Sequence, residues 1–257
     1  PHFALGQWGQ RPRAERRALT RALDRIEAVL RRSDSGDGAD DANLAYARQN
    51  LRVARASARM FALWPRTLPA SGLPPEGYRA ADARDAQMAD TVLWALARTR
   101  APVLVYAHDA HVITAPLTGS IWDAYRRPAR PMGRVLRERL GRGLFVIAAS
   151  MGRVAPGSAL PAGPAGTLDR DLAQLTAPAS PLGASPLGTS PLGEEGAPGA
   201  FWLPIPARGP LAARWDRPRT LTVNFDNSLS LRPRAGADAL VFFPELHAAS
   251  VDTRSAN

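Results

Sequence analysis

Short apolar runs alternate with an amphipathic stretch in the middle of this sequence, and this alternation constrains the fold more than any other feature. VLVYA at 103–107 and GLFVIAAS at 143–150 are almost wholly apolar, which is typical of strands buried on both faces of a sheet. Between them, MGRVLRERLG at 132–141 has apolar residues at helical spacing and ends in a glycine. A strand, a helix and a strand in that order predict a right-handed crossover and a parallel pair.

The predicted fold class is therefore α/β, with a mostly parallel sheet flanked by helices. Later strands are predicted at RTLTVNFD (219–226) and ADALVFF (237–243). Upstream of the first strand, helices are predicted over 12–32, 43–63 and 80–98. In the first, leucines and an isoleucine stand at three- and four-residue spacing, and in the second Leu44, Leu51 and Met60 lie among Ala and Arg residues. A polar Gly/Asp stretch separates the first two helices and predicts an added helical hairpin.

The predicted organisation has four parts, divided by composition. They are a helical hairpin (1–65), an α/β region (66–179), a low-complexity segment of SPLG repeats (180–199) and C-terminal strands of the same domain (200–257). Three copies of a short polar unit cannot bury a core, so the repeat is expected to be an insertion.

Composition limits the possible functions. The chain has 257 residues and 33 basic against 23 acidic side chains, which gives a net charge of +10, yet every basic residue is an arginine. Together with many Ala, Pro and Gly residues, this bias is typical of a GC-rich coding sequence, and it argues against nucleic acid as a partner despite the charge. The absence of cysteine excludes disulfides and thiolate metal sites. No apolar run approaches the roughly 20 residues that span a bilayer.

A His-Asp-Ala-His motif follows the first predicted strand directly, so His108, Asp109 and His111 are expected at its carboxyl end. Ligands bind at that end of the strands in open α/β sheets. Three interpretations are open: the imidazoles hydrogen-bond backbone carbonyls, they bind a metal, or they carry chemistry. The motif offers no thiolate and no third histidine at ligand spacing, so we expect no stoichiometric zinc.

The helix over 80–98 carries an arginine on its inward side. Arg84, Met88 and Thr91 fall at i, i+4 and i+7, next to the apolar stripe of the helix. An inward guanidinium requires a carboxylate or an anionic ligand, unless the side chain extends to solvent. We expect Arg84 and His108 to face a common cavity at the carboxyl end of the strand.

Several stretches, taken in order, resemble the later half of the erythromycin esterase family. They are RDAQMADTVLWAL, VLVYAHDAH, MGRVLRERLGRGLFVIAASMGRVAPG, FWLPI with the following ARW, and ADALVFFPELHAA. The resemblance extends from about Asn43 onward and is interrupted by the SPLG repeat. Several motifs in the same order and at similar spacing are more specific than any one of them.

The resemblance implies a hydrolase that opens lactones or related esters with water activated by a histidine base. The family's histidine pair maps to His108 and His111, and its inward arginine maps to Arg84. In such a mechanism these three side chains bind the ester and stabilise negative charge that develops on oxygen. The expected substrate contacts are Asp109, Met88 and Tyr106. The implied partner is a small ester or lactone, no cofactor is expected, and macrolide resistance is one role within the family.

This sequence departs from the family pattern in three places. The asparagine of the family's His-Asn-x-His motif is Asp109 here, and the asparagine of Met-Ala-x-Asn is Thr91. The family's Gly-Glu-x-x-His-Gly-x-x-Glu motif, which supplies the catalytic base and its carboxylate partner, does not occur in these 257 residues. We therefore expect a partial fold that lacks the base-bearing segment and is inactive alone. The alternatives are a non-catalytic protein that retained the scaffold and a basic nucleic-acid-binding protein.

Overall fold

A computed structural model describes residues 11–33, 41–63, 75–119, 129–154, 166–175, 200–224 and 227–246. The helices are α1 (Arg13–Arg32), α2 (Asp41–Leu63), α3 (Pro75–Thr99), α4 (Asp109–Val112), α5 (Met132–Leu140), α6 (Leu168–Leu175), α7 (Pro210–Trp215) and α8 (Pro233–Gly236). The strands are β1 (Ile147–Val154), β2 (Phe201–Pro204), β3 (Arg219–Asn224), β4 (Asn227–Leu231) and β5 (Ala239–Leu246). The SPLG repeat at 180–199 lies outside the described residues.

Three long helices form where the apolar spacing predicts them. Helices α1 and α2 run side by side: the Arg55 guanidinium binds the Asp24 carboxylate, and Arg48 donates to the Leu30 carbonyl. Helix α2 packs in turn on α3, where the Tyr46 and Trp94 rings meet edge to face with centroids 5.0 Å apart. None of the described helices is long and apolar enough to cross a membrane.

The sheet confirms the α/β class but is mixed where it is described. Its order is β1-β5-β2, with β1 parallel to β5 and β2 antiparallel to β5. Strands β3 and β4 form a separate antiparallel pair. Alternate residues of β1, Ala148 and Ser150 among them, are buried on one face of the sheet, whereas Ile147 and Trp202 are partly exposed on the other.

The prediction of a strand at Val103–Ala107 is wrong. The backbone is extended there, yet it pairs with no strand in the described part of the chain. Leu104 is 92% and Tyr106 100% exposed, whereas the alternate residues Val105 and Ala107 pack toward α3 and α5. An apolar run favours extended backbone, but a strand exists only where a second segment supplies its hydrogen bonds. The expected parallel partner at 143–150 contributes instead to β1, which pairs with β5.

The core has two neighbouring parts, and the His-Asp-Ala-His segment lies between them. The larger part surrounds the sheet and includes Ile113 and Phe242, both fully buried. The smaller part joins α3 to α5 through Ala89, Met132 and Leu136. Because helix α4 precedes Ile113 directly, burial of that isoleucine fixes the end of the motif.

Gly133 allows a close approach between α5 and the C-terminal end of α4. A Cβ atom at this position would lie 1.8 Å from the Val112 carbonyl oxygen, whereas a Cβ atom at Gly143 meets nothing closer than 3.9 Å. We expect Gly133→Ala to destabilise the fold by about 1–3 kcal/mol or more, because backbone must move to admit the methyl group. The matched change Gly143→Ala is expected to alter the free energy of unfolding by less than about 0.5 kcal/mol.

Urea unfolding followed by far-UV circular dichroism measures both values. Equal stability of the two variants would contradict this account of how α5 packs against the motif.

Candidate functional site

The His-Asp-Ala-His motif forms a short helix whose first residue is capped by its own histidine. His108 is the N-cap residue of α4, with extended backbone, and its Nδ1 accepts a hydrogen bond from the Ala110 N–H at 3.2 Å. An acceptor at the N-cap satisfies one of the amide groups that a helix leaves unpaired at its start. In the neutral imidazole the proton is therefore on Nε2, and His108 is a hydrogen-bond donor through that atom.

His111 is oriented by a buried carboxylate on α3. Its Nδ1 lies 2.9 Å from Asp85 Oδ2, and the same oxygen accepts the Met132 N–H at 3.0 Å. Only 7% of the Asp85 side chain is exposed. Because a carboxylate accepts hydrogen bonds, this pairing places the proton of neutral His111 on Nδ1 and leaves a lone pair on Nε2.

The two imidazoles thus have complementary hydrogen-bonding roles. Their ring centroids are 6.4 Å apart with an interplanar angle of 68°. In the neutral rings, Nε2 of His108 carries the proton and Nε2 of His111 carries the lone pair. The two neutral imidazoles therefore have opposite tautomers, each fixed by the partner of its Nδ1.

Arg84 forms an ion pair with Asp85, which supplies the carboxylate that an inward guanidinium requires. Its Nε donates to Asp85 Oδ1 at 3.3 Å, and about a third of the side chain is exposed. Arg84, Asp85 and His111 line one cavity of about 10 Å³, the size of a single water molecule, together with residues of the segment that precedes α5. The structure therefore brings Arg84 beside His111, while its shared cavity with His108 stays a prediction.

Met88 and Tyr106, two of the expected substrate contacts, line a larger cleft of about 360 Å³. Arg84 and Thr91 also line this cleft. The Thr91 hydroxyl donates to the Gln87 carbonyl at 3.0 Å. Arg84 consequently borders both the cleft and the cavity that contains His111.

The carboxylate of Asp109 joins the motif to the sheet. Its two oxygens each lie 3.2 Å from the Ala149 N–H of β1. Burial raises the pKa of the Asp109 carboxyl to about 6, the charge of nearby Asp169 acts in the same direction, and the Ala149 hydrogen bond and His108 oppose them. Asp169 is itself fully buried and accepts the Ser150 hydroxyl at 2.5 Å. A contact between Asp109 and substrate stays a prediction, since the described bonds of this carboxylate are to backbone.

The sequence pattern did not reveal Asp85, although a signal for it exists. Asp85 falls at i−4 from fully buried Ala89 and at i−7 from Val92, so it lies on the inward stripe of α3. A carboxylate on such a stripe needs donors from other elements. Those donors, His111 and the Met132 amide, are 26 and 47 residues away.

No group of three His, Asp or Glu side chains that could hold a metal ion occurs among the described residues.

The fold and the site define an α/β protein with a histidine pair, one member of which is held by a buried carboxylate. The family model described as erythromycin esterase matches residues 2–245. The chain belongs to this family, as the motifs predict.

Solved structures support the fold. A Bacillus cereus protein solved by structural genomics has a TM-score of 0.66 at 14% identity, over 95% of this chain and 55% of its own. A succinoglycan biosynthesis protein has a TM-score of 0.59 at 13% identity, over 90% and 51%. The erythromycin esterase EreC, as a histidine-to-asparagine mutant in its open conformation, has a TM-score of 0.54 at 17% identity, over 93% and 55%. This chain thus spans about half the length of these structures. No curated protein matches the sequence significantly.

The raised pKa of Asp109 makes stability depend on pH. The folded pKa of about 6 lies above the ordinary value of 3.8, so the folded state holds the proton more tightly than the unfolded state and stability falls as pH rises from about 4 to about 6. We expect Asp109→Asn to match the parent chain at pH 4 and to be more stable at pH 7 by about 2–3 kcal/mol. Asp90→Asn, an exposed position on α3, serves as the control.

Urea unfolding at both pH values measures this difference. An Asp109→Asn variant that is no more stable than the parent at pH 7 would contradict the raised pKa of the Asp109 carboxyl.

Proposed function

We propose that this protein is a carboxylic ester hydrolase of the erythromycin esterase type, which opens lactones or related esters with water activated by a histidine base. Family membership over residues 2–245 supports hydrolase chemistry. The single observation that carries the proposal is the 2.9 Å pairing of His111 with the buried carboxylate of Asp85, next to Arg84. An imidazole oriented in this way is typical of general-base sites.

In the proposed reaction His111 removes a proton from water through Nε2. The water oxygen forms a bond to the ester carbonyl carbon, and the carbonyl π electrons move onto the oxygen. Collapse of this tetrahedral intermediate breaks the bond to the alcohol oxygen, which receives the proton from the His111 imidazolium. Ester and water thus yield a carboxylic acid and an alcohol, or one hydroxy acid when the substrate is a lactone.

Arg84 and His108 are proposed to stabilise the negative oxygen of the intermediate. The guanidinium carries a permanent charge and borders the same cavity as His111, and neutral His108 is a donor through Nε2 because its Nδ1 accepts the Ala110 amide. Donors fixed before the reaction stabilise developing charge without a cost of reorganisation. Asp85 acts as a positioning residue, since it contacts His111 rather than the reacting atoms.

The family resemblance implies a base in a motif that these residues do not contain, and the His111–Asp85 pair supports a base within this chain. A macrolide is a cyclic ester, so macrolide opening is one case of the proposed reaction. The choice among lactones depends on the lining of the cleft beside Arg84.

Steady-state hydrolysis of phenyl acetate and δ-valerolactone by the purified chain tests the proposal. The family resemblance predicts that the chain is inactive alone, whereas a base at His111 predicts turnover above the buffer rate. With His111 as the base, we expect His111→Asn to lower kcat/KM by about 10²–10⁴-fold because general-base catalysis is lost. Asp85→Asn is expected to lower kcat more than it raises KM, and the exposed Asp90→Asn control is expected to leave both unchanged.

Circular dichroism establishes that each variant is folded before its kinetics are compared. A folded parent chain that hydrolyses neither substrate would overturn His111 as the base and favour a base in the absent motif or a non-catalytic scaffold. Activity that survives His111→Asn would also overturn the assignment.

A further inference from the structure

We infer that the cleft between α2, α3 and residues 105–107 binds the acyl part of the substrate, and that this part is an apolar chain or ring whose product carboxylate pairs with Arg84. The inference rests on the proposed function for its link to hydrolysis, and it names the substrate class of that site. The binding itself requires no turnover.

The walls of the cleft are mainly apolar and come from four parts of the chain. Its volume of about 360 Å³ lies within the range of small-molecule sites in proteins. The apolar lining consists of Val53, Ala56 and Met60 from α2, Ala83, Met88 and Val92 from α3, Val105 and Ala107 from the extended segment, and Met132 from α5. Three methionines in one small cleft give a deformable surface suited to flexible apolar ligands.

Among the described residues that line the cleft, Arg84 is the one charged side chain. Its Nε binds Asp85, whose oxygens are shared with His111 and the Met132 amide. Among the described residues the structure gives its terminal guanidinium nitrogens no acceptor. A carboxylate accepts two parallel hydrogen bonds from such a group, whereas a cationic ligand is repelled by it.

The remaining polar groups of the cleft largely satisfy one another. Thr91 donates to the Gln87 carbonyl and receives bonds from the Gln87 and Gln49 side-chain amides, each at 3.4 Å. They leave Arg84 as the strongest anchor for a polar ligand group. Because Arg84 also borders the cavity with His111, an ester whose carbonyl lies at Arg84 places its acyl chain in the cleft.

The four methionines of the chain provide an internal test. Met60, Met88 and Met132 line the cleft, whereas Met151 lies on β1 opposite Phe243 of β5. Their ¹³C-labelled methyl groups, assigned by single Met→Leu variants, report by NMR where a ligand binds. The chain is titrated with octanoate and, as an uncharged match, with octan-1-ol.

We expect octanoate to shift the Met60, Met88 and Met132 methyl signals and to leave Met151 unchanged. Octanol is expected to shift the same three signals with at least about tenfold weaker affinity, since it lacks the charge-assisted bond. Arg84→Gln is expected to abolish this preference, and Arg25→Gln, which removes the same charge from an exposed position on α1, is expected to retain it.

Shifts confined to Met151, equal affinity of the parent chain for the two ligands, or a preference that survives Arg84→Gln would each overturn the inference. Failure of the cleft to bind is separable from failure of the hydrolase proposal, because binding is measured without turnover and the kinetic test uses esters with short acyl groups.

Discussion

The site depends on the buried carboxylate of Asp85. One side chain on α3 accepts the Met132 N–H at the start of α5, the His111 ring of α4 and the Arg84 side chain next to it. A buried carboxylate without these donors would cost several kcal/mol, so the three elements must meet around it. The same bonds that stabilise the packing of α3, α4 and α5 fix the orientation of the imidazole proposed as the base. A change at Asp85 therefore affects both the packing of these helices and the orientation of His111.

Two carboxylates connect the short helix α4 to the two sides of the fold. Asp85 connects His111 to the helical side of the fold, and Asp109 connects the first turn of α4 to Ala149 of the sheet. A helix of four residues has little stability of its own, so its position comes from such tertiary bonds. Burial raises the pKa of the Asp109 carboxyl, so its ionised form destabilises the folded state. This arrangement orients the His111 imidazole at the small cavity that Arg84 also lines.

The sequence predicted those features that depend on neighbours along the chain. Apolar spacing predicted the three long helices. The family resemblance selected Arg84, His108 and His111 as candidate site residues, and their roles stay predictions. The strand at Val103–Ala107 was predicted wrongly because its pairing depends on a distant partner rather than on its own apolar residues. Asp85 was overlooked for a similar reason, since its donors lie 26 and 47 residues along the chain.

The tautomers of the two histidines test the central claim directly. Long-range ¹H–¹⁵N correlation spectra of the imidazole rings, recorded at a pH where both are neutral, identify which nitrogen carries the proton. The Asp85 pairing predicts that His111 carries it on Nδ1, and the capping bond from Ala110 predicts that His108 carries it on Nε2. Neutral His111 with its proton on Nε2 would contradict the account, because the nitrogen nearest Asp85 would then have no hydrogen to donate and the proposed base no lone pair at Nε2.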